Sequence, residues 1–334
     1  MKKTYLFLIS FLIGVILLAF VIKVVGWSEI RKSLLIFTGF KGLVIFLLTF
    51  FWIMIINWKW KEILKAQGVE IGFFDLFKPF LAGFSILYLF PTFVLGGEFL
   101  RGYILKKKYS ISWAKGMASV FIDRIVDWTT NLGIVFLGMG FFLSTTGILP
   151  QKIGLAVGFT FFIWLIFILF FYAMVFRKKS IARLFFRIFK LENLNIGLLN
   201  MEREIFDFFN IKKSSFWKIL GIAILEELIL LLRIFVLLIF LGKEIGFLIA
   251  LSISGFYYLS TMIPIPASLG IQDGLQAFAF GALGLGASVG TAFTLIIRAT
   301  ELAVAVIGIV ILFRLGIKLF EDTLFKEETK ELPE

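Results

Sequence analysis

The stretch Pro91-Thr-Phe-Val-Leu95-Gly96-Gly97-Glu98, with Arg124-Ile-Val-Asp127 beginning 26 positions after Glu98, decides how this chain is read. About 175 residues on, the pattern returns as Pro266-Ala-Ser-Leu269-Gly270-Ile-Gln-Asp273, with Arg298-Ala-Thr-Glu301 beginning 25 positions after Asp273. Each unit carries a proline, a glycine break, a carboxylate and an Arg-x-x-acid pair inside an apolar run. The recurrence predicts an internally duplicated membrane protein whose two repeats share one central site.

Composition agrees with a membrane setting. Hydrophobic residues fill 60% of the 334 positions, Phe alone contributes 44, and the mean hydropathy of +1.01 lies far above that of soluble domains. The formal charge is +12, but Lys and Arg sit in short clusters between apolar runs. There they set orientation and meet anionic headgroups, so no nucleic-acid partner is expected. The absence of Cys and His removes disulfides, thiolate nucleophiles, imidazole bases and Cys/His zinc sites. No metal and no cofactor is expected, no nucleotide-binding loop is seen, and a transporter fits better than an enzyme.

The fold class is all-α, a polytopic integral membrane protein. Six full spans are predicted near 5–26, 40–58, 113–142, 153–176, 216–241 and 288–313, each near or above the ~20 residues that cross a hydrocarbon core. The first follows Met1-Lys2-Lys3 and reads as a retained span, because its apolar run is long for a signal peptide. The stretches 73–108 and 245–286 are broken at Phe90-Pro91 and at Ile263-Pro264-Ile265-Pro266, and each predicts a re-entrant helical hairpin. Backbone freed at such breaks is tolerated in a bilayer only where protein or water covers it. Pairs of full spans would give the same hydropathy, so about eight to ten crossings stay open.

One transmembrane domain is expected over 1–320. It holds a first repeat unit at about 73–142, an amphipathic cytoplasmic segment at about 177–213 and a second repeat unit at about 245–313, with a short disordered tail at 321–334. Lys2 and Lys3, Lys59/Lys61/Lys65, Lys106-Lys107-Lys108, Arg177-Lys178-Lys179 with Arg183 and Arg187, and Arg314 with Lys318 fall on one side of the six-span arrangement. That side, with both termini, is expected to be cytoplasmic in the cell membrane. Arg31-Lys32, Lys152 and Lys243-Glu244 lie opposite. Three spans between the hairpins invert the second unit relative to the first, an arrangement suited to alternating access.

Function must come from ionisable groups inside the spans, which cost ~3 kcal/mol or more each and so line a cavity or pair with one another. Substrate contact is expected from Arg124 and Arg298, from Glu98 and Arg101, from Asp273, and from Gly96, Gly97 and Gly270. Arginine matches phosphate oxygens with a planar fork, and glycine starts let helices begin inside the membrane with free N–H groups facing an anion. Asp123, Asp127, Glu226, Glu227, Arg233 and Glu301 are expected to balance charge or couple an ion. The i,i+3 spacing of Arg124/Asp127 and Arg298/Glu301 lets each acid hold its guanidinium extended. The competing readings are internal salt bridges that lock the spans and small residues that pack helices closely. Trp52, Trp58, Trp60 and Trp128 read as lipid-facing or interfacial packing without a functional role.

The strings Leu95-Gly-Gly-Glu-Phe-Leu-Arg101-Gly-Tyr-Ile-Leu-Lys, Ser119-Val-Phe-Ile-Asp-Arg124-Ile-Val-Asp127 and Ile263-Pro-Ile-Pro-Ala-Ser-Leu-Gly-Ile-Gln-Asp273 resemble the flippase-like transmembrane region of the lysylphosphatidylglycerol synthase/flippase family. That family includes stand-alone prokaryotic membrane proteins and archaeal relatives linked to polyprenyl-phosphate sugars. The resemblance covers nearly the whole chain and implies a lipid translocase, with Glu98, Arg101, Asp123, Arg124, Asp127, Arg298 and Glu301 at matching motif positions. The family's late motif commonly reads Pro-Gly-Gly-Leu-Gly before an acid such as Glu. Here Pro266-Ala267-Ser268-Leu269-Gly270 and Asp273 stand there, which implies another headgroup at the second half-site.

The expected function is therefore movement of a phosphate-bearing lipid, phospholipid or polyprenyl phosphate, between leaflets. A homo-oligomer and a lipid-synthesising or glycosyl-transferring enzyme are further candidate partners. Two alternatives stand beside it: a membrane-embedded prenyl- or phospho-transferase using Asp123 and Asp127, and a non-transporting scaffold.

Overall fold

A computed structural model of the chain describes residues 39–89, 96–147, 151–188, 196–243, 246–262, 268 and 270–328. The expected first span near 5–26, the prolines Pro91, Pro264 and Pro266, and Leu95 and Leu269 lie outside the described residues. Among those residues all regular structure is helical: α1 Phe40–Ala66, α2 Phe73–Leu89, α3 Gly96–Tyr109, α4 Trp113–Thr146, α5 Gln151–Phe176, α6 Ile181–Ile188, α7 Ile196–Phe208, α8 Ser214–Phe240, α9 Phe247–Thr261, α10 Ile271–Ala282 and α11 Ala287–Glu328.

Helix ends follow local chemistry. Ser112 caps α4 by accepting the Lys115 N–H at 3.3 Å, and α4 stops at Gly147, whose φ of 85° a side chain would disfavour. The cap of α6 comes partly from another helix: Glu202 on α7 accepts the N–H groups of Ile181 at 2.5 Å and Ala182 at 3.0 Å, and the Ser180 hydroxyl as well. α11 runs to Glu328, so the segment expected to be disordered from Glu321 is helical for eight further residues. Between Gly316 and Pro333 the sequence offers no glycine or proline to stop it.

Among the described residues four helices are long and apolar enough to cross a membrane: α1, α4, α5 over Gly158–Phe176, and α11 over Ala287–Gly316. α8 matches α1 in length, 27 residues each, but carries Glu226, Glu227 and Arg233 in its middle. The four spans, with α8 and the shorter apolar α9, make a multi-pass membrane protein.

The helices pack in two corresponding sets. α1 lies against α8, α2 against α11, and α9 against α4, while α3 bridges α2 to α4 and α10 bridges α9 to α11. Glycine permits the two cross-contacts. A Cβ on Gly138 of α4 would stand 2.4 Å from the Leu251 carbonyl oxygen on α9, and one on Gly308 of α11 would stand 2.3 Å from the Leu81 carbonyl oxygen on α2. α5 stays at the edge and turns Phe159, Phe162 and Ile166 outward, as a lipid-facing helix does. α7 folds back so that Ile205 and Phe208 join Ile122 and Ile125 of α4 in one apolar cluster.

Candidate functional site

The hairpin α2–α3 brings Gly97 against Gly83, where a Cβ would come within 2.3 Å of the Gly83 carbonyl oxygen. Close packing therefore requires glycine at 97. α3 begins at Gly96 and places Glu98 in its first turn. Glu98 accepts from Arg124 Nε of α4 at 2.6 Å. The second hairpin answers in kind. Gly270, at φ 77°, precedes α10, Asp273 lies in the first turn, and its Oδ2 accepts from Arg298 Nη2 of α11 at 2.7 Å.

Asp273 also accepts the Gly270 N–H at 3.0 Å, so the positive end of α10 is met by the chain's own acid. The sequence spacing of 26 and 25 positions is thus the span between partners in two like ion pairs. The i,i+3 pairs expected from the motifs are not the principal contacts. Asp127 lies 3.9 Å from Arg124 Nη1, farther than Glu98. Glu301 turns instead to Arg233 Nη2 at 3.0 Å and to the Tyr257 hydroxyl at 2.8 Å. The geometric reason is that each i+3 position faces a neighbouring helix that supplies its own cation, Lys59 of α1 for Asp127 and Arg233 of α8 for Glu301.

Lys59 overturns its sequence assignment. Expected in a cytoplasmic basic cluster with Lys61 and Lys65, it is 0% exposed and sits at the middle of the first ionic group. It bonds Asp127 of α4 and Glu226 Oε2 of α8 at 2.6 Å, and lies 3.5 Å from Asp123 Oδ1. Asp123 Oδ2 accepts in turn from Arg101 Nη2 at 2.9 Å. The signal was available: Lys59 shares a helical stripe with Trp52, Ile56 and Ile63, all buried.

Two tryptophans also depart from expectation. Trp60 is fully buried with the Arg101 guanidinium 3.9 Å over its ring, and Trp52 lies beneath Arg233 at 5.0 Å. Trp58 is exposed, as expected, and Trp128 packs at a tilt against Trp164 of α5, ring centroids 4.7 Å apart.

The two ionic groups repeat one wiring. Lys59 of α1 reaches Asp127 of α4, 68 residues on, and Arg233 of α8 reaches Glu301 of α11, 68 residues on. Two turns before each cation, the facing position holds Glu226 on α8 for Lys59 and Trp52 on α1 for Arg233. Glu227 differs from the other acids. Its oxygens face the Tyr258 hydroxyl at 2.5 Å and the Thr130 hydroxyl at 3.0 Å, with no cation in ion-pair distance among the described residues. Tyr257, Tyr258, Thr130 and Thr49, which bonds Arg233 at 3.2 Å, were not singled out from sequence. Hydroxyl residues on apolar helices carry little local signal.

Arg124 and Arg298 keep separate partners, and no hydrogen bond or ion pair among the described residues joins one to the other. Among the described residues no group of three acids stands in a geometry that holds a metal ion.

Residues 7–308 match the lysylphosphatidylglycerol synthase TM region. The chain belongs to this family. Its relatives include UPF0104 membrane proteins of three archaea. The Methanocaldococcus jannaschii protein is 24% identical over 89% of this chain and 90% of its own length, and the Methanothermobacter thermautotrophicus protein 26% over 87% and 89%. The Pyrococcus horikoshii protein is 24% identical over 89% and 92%. No solved structure matches the chain. Both ionic groups and both hairpins fall inside the stretch matched to the family.

Proposed function

We propose that this member of the family translocates a phosphate-bearing lipid, a phospholipid or polyprenyl phosphate, between the leaflets of the cell membrane. The observation that carries the reading is the twin pairing of Glu98 with Arg124 and Asp273 with Arg298. Each pair joins the start of a short hairpin helix to a long apolar helix, and each keeps one member within reach: the Arg124 side chain is 25% exposed and that of Asp273 30%. A lipid phosphate can take the place of the carboxylate on either guanidinium, since both anions suit the same fork of donors. The acyl or prenyl tails stay in the bilayer while the headgroup follows the polar side chains, which spares the headgroup full desolvation.

The matched wiring of α1–α4 and α8–α11 supports a duplication. Three helices of membrane length, α4, α5 and α8, separate the two hairpins, and an odd number of crossings turns the second unit over. In this reading the hairpins are re-entrant, both termini are cytoplasmic, and the chain is a transporter that carries out no covalent chemistry. A lipid-synthesising or glycosyl-transferring enzyme would supply the cargo. Asp123 and Asp127 are already engaged by Arg101 and Lys59, so nothing specific favours the transferase alternative.

The test is reconstitution into vesicles with fluorescent phosphatidylglycerol or a fluorescent polyprenyl phosphate, read by a membrane-impermeant quencher. Wild type moves at least one of the two, and the paired neutral variants Glu98→Gln/Arg124→Gln and Asp273→Asn/Arg298→Gln lose that movement while melting near the wild-type temperature. Wild-type vesicles no faster than empty ones, or paired variants as fast as wild type, would overturn the proposal.

A further inference from the structure

The first ionic group does not balance. Its three cations, Lys59, Arg101 and Arg124, face five carboxylates, Glu98, Asp123, Asp127, Glu226 and Glu227, all buried or nearly so. The second group balances, with Arg233 and Arg298 against Glu301 and Asp273. The excess arises on α8, where Glu226 and Glu227 stand at the positions that Trp52 and Ile53 occupy in the equally long α1. Two surplus charges in a low-dielectric interior are expensive unless a cation or protons neutralise them. Hydrogen bonding in the group is incomplete as well: Asp123 Oδ1, on a residue 1% exposed, faces Lys59 from 3.5 Å but accepts no hydrogen bond.

Among the five acids Glu227 has surroundings that accept either protonation state. Lys59, on α1, is already held by Asp127, Glu226 and Asp123. From α9 the Tyr258 hydroxyl, and from α4 the Thr130 hydroxyl, can each donate to a carboxylate or accept from a carboxylic acid. Thr130 has one proton and three oxygens facing it: the Val126 carbonyl at 3.3 Å, the Asp127 carbonyl at 3.1 Å and Glu227 Oε1 at 3.0 Å. When its proton goes to a carbonyl, its oxygen is free to accept from Glu227. The Asn131 amide nitrogen donates to Oε1 at 2.8 Å and to the Asp127 carbonyl at 3.1 Å, a contact that favours the carboxylate and leaves Tyr258 and Thr130 as the groups that can serve both states. The charged and titratable groups around Glu227 are thus Glu226 on its own helix, Lys59 on α1, Asp123 and Asp127 on α4, and Tyr258 on α9.

We propose that Glu227, with Tyr258 and Thr130, is a binding site for one exchangeable proton, distinct from the two arginines assigned to the lipid phosphate. Protonation adds a proton from water to a Glu227 carboxylate oxygen and removes one of the two surplus charges, and deprotonation restores it. The proton's role, as the ion exchanged while the lipid moves, rests on the translocase reading; its presence does not.

Infrared difference spectroscopy of the full chain in lipid nanodiscs tests the site without transport. Near neutral pH wild type shows a buried carboxylic C=O band that shifts in D2O and disappears as the pH is raised. Glu227→Gln abolishes that band, Glu226→Gln retains it, and Tyr258→Phe displaces it by removing a hydrogen bond. A spectrum without a protonated carboxyl, a band that survives Glu227→Gln, or a band removed by sodium at constant pH would overturn the proposal. If Glu227→Gln does not fold, a band unmoved in Tyr258→Phe overturns it equally. The proton's role is read in vesicles with fluorescent phosphatidylglycerol or polyprenyl phosphate: an imposed pH gradient changes the wild-type rate but not that of Glu227→Gln, and a wild-type rate indifferent to the gradient would overturn the coupling. The same band in a protein that moves neither lipid would sink the translocase reading alone.

Discussion

Lys59 and Arg233 occupy the same position in two 27-residue helices, and each reaches an acid 68 residues further along, Asp127 for the first and Glu301 for the second. The resemblance ends in their remaining partners. Lys59 also holds Glu226 and faces Asp123, whereas Arg233 also holds Thr49 and lies over Trp52. One cation neutralises a crowd of carboxylates, and the other answers a single one.

That difference sets unequal consequences for losing them. Lys59→Met leaves Asp123, Asp127 and Glu226 repelling one another in a dry interior and is expected to destabilise by about 3–5 kcal/mol, the range for breaking a buried pair. Arg233→Met leaves Glu301 with the Tyr257 hydroxyl and costs less. Adding Glu226→Gln to Lys59→Met recovers part of the loss. Thermal unfolding of the variants in detergent checks the order.

The glycine contacts between the corresponding helix pairs predict a second contrast. Gly138→Ala and Gly308→Ala push a methyl group into the Leu251 and Leu81 carbonyls and are expected to cost about 1–3 kcal/mol each. Gly133→Ala and Gly140→Ala, where a Cβ meets nothing within 4 Å, are neutral or gain up to ~1 kcal/mol from helix propensity. Melting temperatures in one detergent separate the two classes.

Arg101 combines a carboxylate partner with a ring beneath it, so lysine is a poor replacement. Arg101→Lys keeps the charge but loses the planar stacking on Trp60, and a loss of about 1–2 kcal/mol is expected. Trp60→Phe costs stability as well, because the Trp60 Nε1–H to Ser119 bond at 3.1 Å goes with it. A double-mutant cycle on unfolding free energies shows coupling between the two positions.

Outside the long helices, Glu202 is the capping group of α6. Glu202→Ala removes acceptors from Ser180, Ile181 and Ala182 and is expected to cost about 1 kcal/mol locally. Hydrogen exchange over 181–188 should quicken while α1 and α4 keep their protection.

Much of this architecture was legible in the sequence. Apolar run length placed α4, α5 and α8 within a few residues of their observed bounds and gave the starts of α1 and α11, which run on to Ala66 and Glu328 through charged sequence that hydropathy leaves out, because a hydrophobic stretch of that length has few other stable conformations in a bilayer. Charge inside those runs marked most of the ionic residues, since a buried charge is rare enough to be informative. The repeated spacing set Glu98 and Arg124, and Asp273 and Arg298, in two like units, although it gave each arginine the acid three positions on as its partner.

Only the tertiary structure decided who pairs with whom. Periodicity fixes which residues share a helix face but not which helix that face meets, so Arg298 and Glu301 read as partners although Glu301 belongs to Arg233 on α8. Lys59 read as a surface cation because the neighbouring Lys61 and Lys65 hid the stripe it shares with Trp52, Ile56 and Ile63. The carboxylate excess around Glu226 and Glu227 follows from four helices converging on one buried point. A chain read one segment at a time states the charges, and their balance is set by the packing that brings them together.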